Sequence, residues 1–142
     1  MTADDRQPVI LDIDGPRDPL YVAEVADAFA EAVRVLNHLT RDHAALEYPS
    51  EADRLIRGIS TAASRLPQLL GQVSAWVNAE YAAGRIRMTG GEFLQPVLAA
   101  MAVEARLGKA AEHAEALRLA LDSATAVTSA MAVREDDSDE RS

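Results

Sequence analysis

Two aspartates near the N-terminus have a spacing that metal-dependent phosphoryl transfer could use. Asp12 and Asp14 follow a short apolar run and precede Gly15, and paired carboxylates can hold Mg²⁺ while one of them attacks phosphorus or moves a proton. No alternation of strands and helices follows to build the parallel sheet that would present such a pair. A calcium loop counted from Asp12 also fails, because Arg17 holds the sixth position, where glycine is required. The sequence therefore predicts solvated carboxylates around a turn.

The histidines are the other residues that could bind a metal. His38 and His43 each have a carboxylate four residues later, a spacing that places two ligands on one helix face. Two ligands do not complete a site. His113 lacks the glutamate three residues before it that carboxylate-bridged metal bundles use. We expect no metal site and no cofactor.

Nucleophilic catalysis has no recognisable set of residues in this chain. The sequence contains no cysteine, no Gly-x-Ser-x-Gly elbow and no glycine loop of the kind that binds phosphate. We expect no catalytic residue and a protein that is not an enzyme.

Arginines form a loose basic stripe along the second predicted helix and the loop after it. Its members are Arg54, Arg57, Arg65, Arg85 and Arg87. Binding to nucleic acid needs a clustered positive face, whereas Glu51 and Asp53 stand beside this stripe. We expect no nucleic-acid partner, and an accessory factor acting on nucleic acid is kept as an alternative function.

The single tryptophan lies in an apolar helical seam. Trp76 is in register with Leu69 and Val73, so its position favours packing in a core or an interface over an aromatic ligand box. The whole seam recurs in steps of four and three residues through Leu55, Ile59, Ala62, Leu66, Leu69, Val73 and Trp76.

The composition predicts that helices position all of these residues. Alanine supplies 28 of the 142 residues and aromatic residues only 4%, so the best helix former is abundant and strand formers are scarce. Apolar residues make up 49% and charged residues 26%, which is typical of a folded domain. We expect an all-α fold, an antiparallel bundle of three long helices.

Helix boundaries are marked by proline, aspartate and glycine. Asp18 and Pro19 are a typical helix start, and a second helix runs from about Glu51 to a stop at Gly84, continuing through Pro67. An expected capping pair of Ser50 and Asp53 precedes it. Predicted lengths are about 25, 33 and 42 residues.

The third helical region opens near Glu92 and keeps its apolar phase through Gly108. A break at Gly108 would give four helices instead of three. The unbroken helix would be longer than its neighbours and would expose Leu117, Leu121 and Met131 as a patch that a second copy could cover. The sequence therefore predicts a homodimer.

Charge divides the chain into three parts. Residues 1–18 and 135–142 carry seven of the nine net negative charges, while residues 19–134 are nearly neutral. We expect a flexible arm at 1–18, one bundle domain at 19–134 and a disordered acidic tail at 135–142. The N-terminus lacks the basic and apolar regions of a signal peptide and no segment is apolar enough to span a membrane, so we expect a cytoplasmic protein with no membrane association.

A resemblance covers about 42 residues of the middle of the chain. The stretches LEYPSEADRL, RLPQLLGQVSAWVNAE and GRI resemble a group of small helical proteins of uncharacterised function from high-GC bacteria. The resemblance implies a helical fold and no activity. We expect a protein–protein interaction module, a scaffold, regulator or accessory subunit with an unknown protein partner; a small-molecule-binding bundle is a further alternative.

Overall fold

The computed structural model describes residues 8–132 of the 142-residue chain. Its α-helices are α1 (Pro19–Leu39), α2 (Pro49–Ala82) and α3 (Pro96–Thr128). No strand occurs in this range, and helix packs against helix. The prediction of an all-α fold is confirmed.

The chain divides into two compact units with a boundary between Glu47 and Tyr48. The first unit contains α1 and the second contains α2 and α3. This boundary falls inside the segment 19–134 that the sequence assigns to one domain, and that assignment stays a prediction. The arm residues 1–7 and the predicted acidic tail at 135–142 lie outside the described residues.

In the first unit, the start of α1 follows the predicted signals. The Asp18 carboxylate accepts a hydrogen bond from the Tyr21 backbone N–H at 2.8 Å, and Pro19 is the first helical residue. The Tyr21 hydroxyl donates to the Ile10 carbonyl at 2.8 Å and holds the segment before α1 against its first turns. Gly15 is required there, because an added Cβ would lie 2.8 Å from the Tyr21 ring.

In the second unit, α2 begins two residues before the predicted start. Pro49 occupies the first turn, and the Tyr48 N–H donates to the Glu51 carboxylate at 3.2 Å. The predicted capping pair of Ser50 and Asp53 is therefore replaced by Tyr48 and Glu51. The helix continues through Pro67, as predicted, and ends at Ala82.

The third helix is shorter than predicted. Gly90 and Gly91 have positive φ angles of 155° and 98°, and α3 begins at Pro96 rather than near Glu92 because the residue before a proline disfavours the helical conformation. The helix is continuous through Gly108, so the alternative with a fourth helix is not seen. At 33 residues, α3 matches the 34 residues of α2, and the predicted excess length is absent.

Gly108 gives a test of this continuous helix. A Cβ added at Gly108 meets no atom within 4 Å, and glycine inside a helix costs about 0.5–1 kcal/mol relative to alanine. We expect Gly108→Ala to raise the free energy of unfolding in urea by about that amount. Gly84→Ala is the control and should lower it, because Gly84 has a φ of 70°. Destabilisation by Gly108→Ala would contradict an open position.

Two hydrogen bonds between side chains fix the direction of α3 relative to α2. The Thr128 hydroxyl donates to the Asp53 carboxylate at 2.6 Å, and the Ser60 hydroxyl donates to the Asp122 carboxylate at 2.6 Å. Residues early in α2 therefore meet residues late in α3. The two helices run in opposite directions and form a helical hairpin, the name used below for α2 with α3.

The fully buried residues inside the hairpin are small, and larger ones such as Leu70 and Leu121 are half-buried beside them. Ala63, Ala100 and Ala114 are its buried apolar residues, and Ser60 and Thr125 are buried beside them. No large side chain in the described chain is fully buried. Small residues let the helix backbones approach closely, but they bury little apolar surface.

The side of α2 that faces α3 differs from the predicted seam. Its buried and half-buried residues follow a spacing of three and four: Asp53, Ile56, Ser60, Ala63, Pro67, Leu70, Ser74 and Val77. The predicted seam precedes these positions by one residue, which is a rotation of about 100° around the helix. The predicted seam is therefore only partly buried: Leu55, Ala62 and Leu66 are half-buried beside the contact with α3, whereas Ile59, Leu69, Val73 and Trp76 are exposed.

Candidate interaction surface

An open cleft identifies one side of the hairpin. About 330 Å³ in volume, it is lined by Pro67, Leu70, Gly71, Ser74, Ala75, Asn78, Glu104, Leu107, Gly108 and Ala111. On α2, Gly71 and Ala75 each come one residue after a position that faces α3. On α3, Gly108 likewise comes one residue after Leu107. Positions that follow the contact by one residue thus share one side of the hairpin, which we call the cleft side.

The opposite side collects positions that precede the contact by one residue. Each residue of an α-helix is rotated by about 100° from the one before it. In two antiparallel helices, the positions one residue before the contact therefore lie on the same side of the pair, opposite the cleft. On α2 this side holds the predicted seam. On α3 it holds Arg106 and His113, one residue before Leu107 and Ala114, and Leu117, about 60° before Ala114. We group with them Met131, which is exposed in the turn after the end of α3 at Thr128. We call this surface the apolar side: Leu55, Ile59, Leu66, Leu69, Val73, Trp76, Leu117 and Met131.

Large side chains on the apolar side are substantially exposed. The exposed fractions are 53% for Leu69, 63% for Trp76, 45% for Leu117 and 54% for Met131. Together the eight residues expose apolar surface on the order of 600 Å², the upper end of the largest patch on a typical monomer. This surface is the candidate functional site of the protein.

Four residues were predicted from the sequence to form an interface. Trp76, Leu117 and Met131 lie on the apolar side, whereas Leu121 is half-buried one heptad after Ala114, at a position that faces α2. The predicted reason, an α3 end without a neighbour, does not apply because α3 lies beside α2 as far as Thr128. The exposed surface comes from the side of the hairpin, not from its end.

The basic stripe is partly neutralised by carboxylates of the same unit. Arg57 pairs with Asp53 at 2.7 Å, and Arg85 pairs with Glu80 at 2.6 Å. Arg54 and Arg65 lie on the exposed surface of α2, and Arg87 lies in the loop before α3. Ion pairing of this kind lowers the positive potential that nucleic acid would need.

The carboxylates of two ion pairs, Arg85–Glu80 and Arg118–Glu115, are held in the charged form. Hydrogen bonds from Arg85 keep the pKa of Glu80 below its ordinary value, and Arg118 does the same to the pKa of Glu115. Groups shifted in this direction stay ionised at neutral pH. They are suited to ion pairing rather than to proton transfer, which needs a pKa close to the working pH.

The lowered pKa of Asp53 predicts that the stability of the protein depends on pH. The hydrogen bond from Thr128, and then the one from Arg57, lower the pKa of Asp53. Its contribution is therefore fully present above the ordinary aspartate pKa of about 4 and is lost as the pH falls through the lower pKa of the folded state. We expect Asp53→Asn to lose less thermal stability than the wild type between about pH 7 and pH 2.5.

The Thr128→Val variant provides the matched control for this pH experiment. It removes the largest cause of the pKa shift and keeps the carboxylate, so its loss of melting temperature on acidification should lie between those of the wild type and Asp53→Asn. Identical pH profiles for all three proteins would contradict the role assigned to Asp53.

The residues considered for metal chemistry serve local structure. The Asp12 carboxylate accepts the Asp14 N–H at 3.0 Å, and the Gly15 N–H bonds to the Asp12 carbonyl at 3.1 Å, which confirms the predicted turn. His43 lies outside α1, in a short 3₁₀ helix. Within residues 8–132, no three His, Asp or Glu side chains come together as metal ligands.

Fold and surface together define a class: an all-α protein whose helical hairpin has an open cleft on one side and exposed large apolar side chains on the other. In the described part of the chain, no helix combines the length and apolar character needed to cross a bilayer. Comparison with protein-family models, curated proteins and solved structures finds no match to this chain. The resemblance to small helical proteins from high-GC bacteria stays a prediction.

Proposed function

We propose that the protein is a non-enzymatic interaction module that binds a polypeptide surface through the apolar side of the hairpin. The observation that carries this function is the set of large side chains left exposed along one side of α2, together with Leu117 of α3 and Met131 in the turn after it. Binding would make the protein a scaffold, a regulator or an accessory subunit. The cytoplasmic location and the antiparallel bundle of three helices belong to the same proposal.

The composition of the apolar side supports binding to protein. Aromatic and methionine side chains are enriched at the centres of protein interfaces, and tryptophan is among the commonest residues that dominate binding energy. Trp76 and Met131 supply both types within one surface.

Ion pairing within the basic stripe favours this function over the nucleic-acid alternative. Arg57 and Arg85, two of its five members, already neutralise carboxylates of their own unit. The open cleft on the cleft side offers a small molecule little enclosure, since glycines line it on both helices.

Capture with matched variants tests the proposed function. The baits are the tagged wild-type chain and the tagged variants Leu69→Glu and Gln68→Glu. Each bait is incubated with extract from the native host and, in a parallel reaction, with purified untagged chain. Leu69 lies on the apolar side, whereas Gln68 is its exposed neighbour in sequence. We expect retention of protein by the wild type and Gln68→Glu, and its loss with Leu69→Glu. Retention that is equal for all three baits, or absent for all three, would overturn the function.

A further inference from the structure

We propose that the acidic segment 135–140 of this chain binds the face of α2 that carries Arg54 and Arg65 and shields these arginines from other polyanions. The segment then has a binding surface on its own chain, in place of the disordered tail expected from the sequence. This inference is independent of the proposed function, because it concerns the arginines and not the apolar side.

The two arginines lie on the face of α2 that points away from α3. Ala63 is 1% exposed and faces α3, and at about 100° per residue Arg54 and Arg65 lie roughly 180° and 200° around the helix from it. Both are exposed, and neither forms an ion pair with another described residue. We call this surface the outer face of α2, with Arg57 at its edge.

The outer face has no carboxylate of its own to balance its charge. The acidic residues of α2 are Glu51, Asp53 and Glu80, so residues 54–79 contain three arginines and no carboxylate. Asp53 already pairs with Arg57 at 2.7 Å. Arg54 and Arg65 therefore keep their positive charge available to an anionic segment.

The described part of the chain ends close to the start of this face. The Thr128 hydroxyl donates to the Asp53 carboxylate at 2.6 Å, and Asp53 precedes Arg54 in α2. The structure describes the chain as far as Ala132, four residues after Thr128. Residues 135–140, EDDSDE, then supply five carboxylates among six residues. Opposite charges thus begin at the same end of the hairpin.

The length of this segment is sufficient to reach both arginines. Asp53 and Arg65 are separated by about 18 Å along α2, at 1.5 Å per residue. The eight residues from Ala132 to Glu140 span up to about 26 Å when extended, so the segment can turn back along the outer face. A short tether also gives an effective concentration on the order of millimolar, which favours this segment over a free acidic peptide.

The contact is expected to be reversible and sensitive to salt. Ion pairs between exposed side chains are individually weak, and salt screens them. A polyanion that binds the outer face must first displace the segment. The segment therefore acts as an internal competitor that limits access to Arg54 and Arg65.

Paramagnetic broadening of amide signals tests the contact in the full chain. The chain has no cysteine, so Ser138→Cys accepts a single nitroxide label. We expect broadening of the signals of residues 54–65 at low salt and its loss in 1 M salt, where the screening length falls to about 3 Å. The control is a neutral-tail variant with the same label, which carries Glu135→Gln, Asp136→Asn, Asp137→Asn, Asp139→Asn and Glu140→Gln.

The label distinguishes a contact within one chain from a contact between chains. Broadening of residues 54–65 should be several-fold weaker in the neutral-tail variant. It should be absent when the label and the observed nuclei are on different chains in a mixture. Equal broadening with both tails, no broadening with the wild-type tail, or broadening in the mixture would each overturn the inference.

Binding of a polyanion probe tests the shielding. Fluorescence anisotropy at low salt measures the affinity for a labelled single-stranded oligonucleotide, and we expect the neutral-tail variant to bind it at least several-fold more tightly than the wild type. Adding Arg54→Gln and Arg65→Gln to that variant should abolish the gain.

A matched pair of substitutions controls for net charge. Arg17→Gln and Arg41→Gln change two exposed arginines of the first unit and remove the same charge, so the gain of the neutral-tail variant should persist. A gain that survives loss of Arg54 and Arg65, or that both pairs abolish equally, would overturn shielding of the outer face. Unchanged affinity in the neutral-tail variant would overturn it as well.

Discussion

Replacing Ala63 by leucine should lower the free energy of unfolding by about 1–3 kcal/mol. Ala63 is 1% exposed and lies on the side of α2 that faces α3. A leucine there has no free volume, so it must push the helices apart and weaken the neighbouring hydrogen bond between Ser60 and Asp122. Urea unfolding followed by circular dichroism at one fixed protein concentration measures the change.

The control for this substitution is an alanine in the same helix that is open to solvent. Ala79 is exposed, so Ala79→Leu adds the same side chain without displacing α3, and its effect should stay within about 0.5 kcal/mol. Similar losses of stability in both variants would show that helix propensity or solubility, rather than close packing, explains the result.

Helix bounds were predictable because the chain marks them with residues of strong local preference. Asp18 accepts the N–H of Tyr21, and Gly84 follows α2 with a positive φ. These effects act within one turn, so the sequence alone contains them. The start of α3 was misplaced because Glu92 begins an apolar period, whereas Pro96 decides where helical geometry can begin.

The face by which α2 contacts α3 was not predictable from apolar periodicity. Periodicity shows that one side of a helix is covered, but it does not identify the neighbour that covers it. Ser60 and Ala63 are too small to dominate a hydrophobic pattern, although they permit the closest approach between helices. The pattern therefore reported the apolar side of the hairpin, one residue away from the contact with α3.

The candidate surface was predictable in part for the same reason. Trp76, Leu117 and Met131 were each identified as apolar and periodic, which is a property of their own helices. That they share one side depends on the direction of α3 and on the rotation of each helix at the contact. Leu121 differs from Leu117 by one helical turn, and only the packed arrangement shows that it faces α2.

Leu69→Ala should lower the free energy of unfolding of the assembled protein by about 2–5 kcal/mol, although Leu69 is 53% exposed in a single chain. The loss arises because the leucine becomes buried only when a partner covers the apolar side. In a protein without that partner, the same truncation removes a half-exposed side chain and should cost less than about 1 kcal/mol. Thermal and urea unfolding of the wild type and of Leu69→Ala measure the loss of stability.

The dependence of the melting temperature on protein concentration distinguishes an apolar side that a second copy covers from one that no second copy covers. The homodimer predicted from the sequence would couple unfolding to dissociation, and the melting temperature would then rise with protein concentration. Under that prediction, wild type and Leu69→Ala should both shift upward over a hundredfold range of concentration. Arg54→Ala should cost less than about 1 kcal/mol at every concentration, because Arg54 lies on the exposed surface of α2. A melting temperature independent of concentration, together with a small effect of Leu69→Ala, would mean that the apolar side stays open to solvent. A large effect without concentration dependence would mean that the chain covers its own apolar side.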